Sequence, residues 1–157
     1  SIECLAAVPK DVPQKDAPPA GTLIVVSERG LDADGNLRSF LIGREDGTFS
    51  LKRTDDFDIS DCAIAPNGHL MVLERRFSWT RGIAMRIRSI PLETVKPGAL
   101  VDGTELIFAD MGYQIDNMEG LSVHRAADGS LVLTIISDDN FSPLQRTLLL
   151  QFTLAGE

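Results

Sequence analysis

Short apolar runs separated by glycine-bearing polar breaks dominate the chain. GTLIVVSERG from Gly21, GHLMVLERR from Gly68 and GSLVLTIISDD from Gly129 each start at glycine, turn β-branched or leucine-rich, and run into charged residues. Such runs predict short strands. Between residues 61 and 109 the pattern predicts four antiparallel strands, at about 61–65, 69–75, 83–90 and 104–109. Asn67-Gly68 supplies a tight hairpin turn, and Pro91, which has no N–H for a ladder, ends the third strand. Asp46-Gly47 joins FLIGRE to TFSLKR in the same way. LETVKPGAL is short and interrupted by Pro97, so no amphipathic helix is expected. The fold class is all-β.

The strand pattern recurs. Glu3-Cys4-Leu5, Asp61-Cys62-Ala63 and Glu119-Gly120-Leu121 align with their leading acids 58 residues apart (3 to 61, 61 to 119). Phe57-Asp58 and Ile115-Asp116 keep the same separation. Duplicated four-stranded units of this length point to a β-propeller-like architecture. About three blades result, at residues 1–58, 59–116 and 117–157 of one domain; a sandwich with accidental internal similarity is the rival. Complete rings have roughly four to eight blades, and the chain carries fewer than three full periods. It is therefore expected to be part of a larger ring, completed by missing blades of the same chain or by homo-oligomer formation, because open blade faces and edges invite association.

Bulk properties narrow the partners. The chain's 157 residues suffice for one domain with a real core. A net charge of −8 argues against nucleic acid, which demands a basic face. A small anionic or ester substrate is compatible only with local arginines or a metal to overcome that field. No apolar run approaches the ~20 residues of a membrane span. No GxSxG, HExxH, Walker or CxxC motif occurs, which leaves triad-type nucleophilic catalysis without support.

Blade topology gathers acids. The start of a first strand and the end of the second lie on one rim, which brings Glu3, Asp61 and Glu119 beside Glu28, Glu74 and Asp138/Asp139. Crowded carboxylates repel unless a cation or raised pKa values relieve them, and hard oxygen donors suit calcium. Taken singly, each acid also fits a turn cap or a soluble edge. Arg29, Arg75, Arg76 and Arg81 share the rim; they suit a bidentate clamp on phosphate or carboxylate, or neutralisation of the acid cluster.

Other signals are weaker. Asp32-Ala33-Asp34-Gly35-Asn36 resembles a shortened calcium loop but lacks its distal glutamate, and fits a strand connection better. His69 and His124 fall on the opposite rim. Cys4 and Cys62 hold the same repeat position, where equivalent side chains in successive blades point in parallel directions, so no disulfide is expected. The position, Gly120 in the third copy, is expected to tolerate only small side chains. Trp79 follows a second strand on the acid-bearing rim, as a pocket wall or as loop packing.

SDCAIAPNGHLMVLERRFS, DNMEGLSV and SDDNFSPLQRTLLLQFTL resemble the bacterial phytase-like propeller family named for the esterase-like activity of phytase. The likeness covers most of residues 61–154, and IECLAAVP with TLIVVSE more loosely. It implies the C-terminal half of a longer, six-blade ring, export to the periplasm or outside the cell, and loss of a leader before Ser1. It further implies a metal-dependent ester or phosphoester hydrolase. Glu74, Glu119, Asp138 and Asp139, with the other rim acids Glu3, Glu28 and Asp61, would hold calcium; Arg75 and Arg76 would be catalytic, neutralising the leaving phosphate. Lysine is scarce on the rim, which sets this chain apart from phytate binders. The alternative is a non-catalytic propeller that binds a ligand or partner through its acidic rim.

Overall fold

One turn recurs at the end of each first hairpin. Ala65 N–H donates to the His69 carbonyl (2.8 Å) and Gly68 N–H to the Ala65 carbonyl (3.0 Å), with Gly68 at φ +83°. Ala126, Ser130 and Gly129 repeat it at 2.8 and 2.9 Å, with Gly129 at φ +88°. Val8, Thr22 and Gly21 close the same geometry around a longer excursion. A left-handed backbone favours glycine, which is why every second strand follows a glycine.

The computed structural model describes residues 1–12, 15–110, 112, 113 and 115–155. In chain order, β1 (Ile2–Ala7), β2 (Leu23–Leu31), β3 (Leu37–Ile42) and β4 (Gly47–Leu51) form an antiparallel sheet. β5 (Asp58–Ile64), β6 (His69–Ser78) and β7 (Gly82–Pro91) begin a second one. β8 (Leu100–Val101) crosses back to pair in parallel with β4, and β9 (Thr104–Asp110) returns to β7. β10 (Met118–Arg125), β11 (Leu131–Ser137) and β12 (Leu149–Leu154) form a third. The sheets have five, four and three strands. No α-helix occurs among the described residues, only a 3-10 turn at Leu92–Thr94.

The all-β expectation and the four strands of the second sheet hold. The fifth strand of the first sheet does not follow the repeat. Residues after Pro91 are drawn onto the open β4 edge, where Ser50 N–H donates to Ala99 O (2.9 Å) and Lys52 N–H to Val101 O (2.8 Å). That pairing satisfies edge groups, and it buries Leu92, Val95 and Val101 in the adjoining core.

The second sheet is covered on both faces. Leu70, Val72 and Ile90 join Ile24, Val26, Leu37 and Leu51 of the first sheet. Met71, Leu73, Met85 and Ile87 join Met118, Leu131, Leu133 and Ile135 of the third. Alternate residues of β6 therefore feed different cores, and the strand reads as an unbroken apolar run; each buried side chain of this size contributes about 1.5–3 kcal/mol. The far face of the first sheet is open, with Leu5 64%, Ile42 48% and Phe40 38% exposed.

β1 lies against β5, and β5 against β10. Across the first of these contacts Cys4 and Cys62 form a disulfide, with Cα atoms 5.1 Å apart. The expectation of unbonded cysteines is thereby corrected. Parallel pointing holds only for strands kept a sheet-to-sheet distance apart, whereas β1 and β5 converge. A β-bulge also precedes each cysteine, between Ile2 and Cys4 and between Ile59 and Asp61, and bulges re-aim side chains. The third copy has its bulge between Met118 and Gly120. A Cβ on Gly120 would sit 2.8 Å from Ile136 Cγ2, in keeping with a position reserved for small side chains.

Candidate functional site

Pairing places the charged segments on one rim. Ile2 faces Ser27, Asp58 faces Arg75, and Met118 faces Ser137. Leu37 faces Leu51 and Ala84 faces Asp110, so the connections after β4 and β9 reach the same rim.

A cavity of about 250 Å³ opens there. The first sheet contributes Arg29; the second contributes Asp58, Arg75, Arg76, Phe77 and Ile83; the third side contributes Asn117 and Gln145. A larger cavity, about 360 Å³, flanks the first sheet around Arg38, Phe40 and Gly98. It holds none of the expected site residues, whereas the rim cavity draws its lining from all three repeats.

The pocket arginines differ in their partners. Arg75 Nη1 donates to Asn117 Oδ1 and Glu119 Oε1, and its Nη2 lies 3.9 Å from Glu28. Arg29 Nε pairs with Asp58 Oδ2 at 3.3 Å and lies 3.8 Å from Glu28. Arg53 holds the other Asp58 oxygen at 3.0 Å. Arg76 forms no ion pair among the described residues. Its Nη1 donates to the Asp55 carbonyl at 3.2 Å, its guanidinium stacks 4.7 Å from the Phe57 centroid, and its Nε is buried without a hydrogen-bond partner.

The expected metal acids are distributed as follows. Glu28 and Glu119 flank Arg75, and Glu28 also accepts from Ser1 Oγ. Asp61 Oδ2 accepts the Leu121 N–H of the third sheet and Oδ1 accepts its neighbour Cys62 N–H, each at 2.7 Å. Burial pushes the Asp61 carboxyl above its ordinary value; the two N–H donors oppose this, and the charge of half-buried Glu3 adds to the rise. Asp138 and Asp139 accept the N–H groups of Asn140 and Phe141, within the loop that follows β11.

Glu74 is not on the rim. It continues the Leu70–Val72 face of β6 into the interior, where it is fully buried. Arg86 Nε and Arg88 Nε (3.0 Å) donate to its Oε2, and Arg88 Nη2 donates to Oε1 at 2.6 Å. The same arginines grip the β4–β5 connection: Arg86 Nη2 donates to Thr54 Oγ1 (2.8 Å) and Arg88 Nη2 to the Lys52 carbonyl (2.9 Å). This is an interior clamp. Its signal in the sequence was Arg-Ile-Arg, two arginines on one face of an otherwise buried strand.

Among the described residues, no three His, Cys, Asp or Glu side chains gather as a metal-holding group. Gln145 was not anticipated; its side-chain Oε1 accepts from Asn140 Nδ2 at 3.2 Å, which ties it to the SDDN turn. His69 bonds Ser89 Oγ at the far end of β6, away from the pocket. Trp79 is 94% exposed and touches Phe77 edge-on at 5.2 Å. It walls a shallow groove with Arg76 and Arg81.

A sequence model of the family described as phytase-like, esterase-like activity of phytase, matches residues 1–141. No curated protein and no solved structure matches the chain.

Proposed function

From a chain that belongs to the phytase-like family, esterase-like activity of phytase, we propose an ester or phosphoester hydrolase whose rim pocket holds the anionic part of the substrate. The observation that carries this is Arg76: a guanidinium with no carboxylate partner among the described residues, in a cavity lined from all three repeats. A phosphate or carboxylate group supplies the anionic partner that this guanidinium lacks. A guanidinium fork matches both groups bidentately. Placed at the reacting group, it stabilises the charge that grows on the non-bridging oxygens. Arg75 is held by Glu119, Asn117 and Glu28 and serves as a fixed second donor.

The three sheets are proposed as successive propeller blades. Support comes from the adjacent first strands, the recurring bulges and the repeated glycine turn. The open apolar face of the first sheet supports a further layer, from more blades of the chain or from a second copy. The Cys4–Cys62 bond supports an oxidising setting, periplasmic or extracellular. No helix among the described residues is long and apolar enough to cross a membrane.

Calcium at this rim does not fit the donors as they are arranged. Glu74 gives both oxygens to arginines, Glu119 and Glu28 face Arg75, and both Asp61 oxygens accept N–H groups. A non-catalytic binding module is the second reading, favoured because Asp58, the carboxylate lining the pocket, is held by Arg29 and Arg53. Hydrolysis of p-nitrophenyl phosphate and p-nitrophenyl acetate separates the two. A hydrolase whose kcat/KM falls about 10²-fold in Arg76→Gln supports the first; turnover indifferent to Arg76 removes the assignment, and binding without turnover leaves the module.

A further inference from the structure

We infer that the pocket takes a substrate with a single anionic group carried on an aromatic ring, and that Phe77 and Trp79 determine this specificity. The inference rests on the rim pocket being the substrate site. Charge sets the number of anionic groups. Arg29 and Arg75 are already balanced by Asp58, Glu28 and Glu119, so among the described residues lining the cavity only Arg76 is a cation without an ion-pair partner. Further phosphates on the same ligand would have to compete with Asp58, Glu28 and Glu119 for the arginines those carboxylates already hold. Like charges at such sites repel, so a polyphosphorylated ligand is disfavoured.

The apolar side of the site sets the body of the ligand. Phe77 lines both the cavity and the groove beside it, and Ile83 adds to the cavity wall. Phe77 is 63% and Trp79 94% exposed, with ring centroids 5.2 Å apart at 75°. A tight turn holds them there: Ser78 pairs with Gly82, and its Oγ bonds Thr80 Oγ1 (3.1 Å). A scattered exposed apolar residue needs no explanation. Two touching aromatic rings on a braced turn beside a guanidinium that has no ion pair among the described residues form an amphipathic cradle, in which a ring bound through its anionic group stacks or meets them edge-on.

Trp79 is the chain's single tryptophan, so its emission reports on the cradle directly. Benzylphosphonate, methylphosphonate and inositol hexakisphosphate are titrated into the protein, followed by fluorescence and calorimetry. Benzylphosphonate is expected to bind about tenfold more tightly than methylphosphonate (about 1.4 kcal/mol) and to shift the emission to the blue. Phe77→Ala and Trp79→Ala, read by calorimetry, bring benzylphosphonate down to methylphosphonate affinity. Arg76→Gln weakens both, and Arg76→Lys restores part of the loss. Equal affinity for the two phosphonates, tightest binding of the hexakisphosphate, or no binding by any of the three overturns the inference. Ring discrimination without turnover of any ester upholds it while defeating the hydrolase assignment. Equal kcat/KM for aryl and alkyl phosphates, unchanged in Phe77→Ala, defeats it and leaves the hydrolase standing.

Discussion

The two sheet-to-sheet contacts are built from equivalent repeat positions by different chemistry. Between the first and second sheets lie a covalent bond, Cys4–Cys62, and a buried ionic clamp, Glu74–Arg86–Arg88. Between the second and third lie an apolar core, one Asp61-to-Leu121 hydrogen bond, and Arg75 reaching Asn117 and Glu119 at the rim. Where cysteine stands in two copies, the third has Gly120 against Ile136. The first contact is locked, and its buried Glu74 is held on both oxygens by Arg86 and Arg88. The second keeps arginine and amide groups at its mouth, and there the candidate site opens.

The largest effect is expected from the clamp. Glu74→Ala takes from two buried guanidiniums their buried carboxylate and leaves them only the more exposed Asp55 and Asp102; removing one partner of a buried pair costs about 3–5 kcal/mol. Urea unfolding should show the loss; a change below about 1 kcal/mol would mean the first contact is not held by this network. The disulfide comes next. It closes a loop of 58 residues, and Cys4→Ala with Cys62→Ala is expected to remove about 2–4 kcal/mol. Reduction of the parent protein should reproduce the result, and an unshifted midpoint would contradict it.

Asp61 gives a smaller, pH-dependent effect. Its folded-state carboxyl is raised by burial, so ionisation costs stability. The contribution from this group is complete below the unfolded value near 3.8 and is lost as pH rises through the folded value. The stability of Asp61→Asn relative to the parent should therefore improve between pH 4 and pH 7. A gap constant over that range removes the assigned shift. Calcium is expected to do least: with the rim acids engaged by arginines and N–H groups, millimolar calcium should leave the melting temperature unchanged. A rise of several degrees, reversed by EDTA, would show that the acids rearrange around a cation.

The four strands of the second sheet, the glycine turns and the shared rim were legible because each depends on local chemistry. Asn67-Gly68 and Gly129 demand particular backbone angles, and the alternating runs between them set the pleat. The acids were legible as a set but not in their engagements, since partner choice depends on distances across sheets. Glu74 was drawn inward by the Leu70–Val72 face it continues, and its partners, Arg86 and Arg88, sit on a strand that reads as apolar. The disulfide was missed because parallel pointing neglects convergence of β1 and β5. β8 was missed because it belongs by sequence to one repeat and by hydrogen bonding to another.

The central claim is that the three repeats place their charged rims around one anion-binding pocket, and the side-chain Nε–H signals of the arginines test it most directly. Under titration with phosphate in two-dimensional NMR, Arg29, Arg75 and Arg76 should shift together and saturate at one affinity, while Arg44 and Arg125 stay in place. Shifts spread evenly over all the arginines, or confined to those outside the pocket, would contradict it.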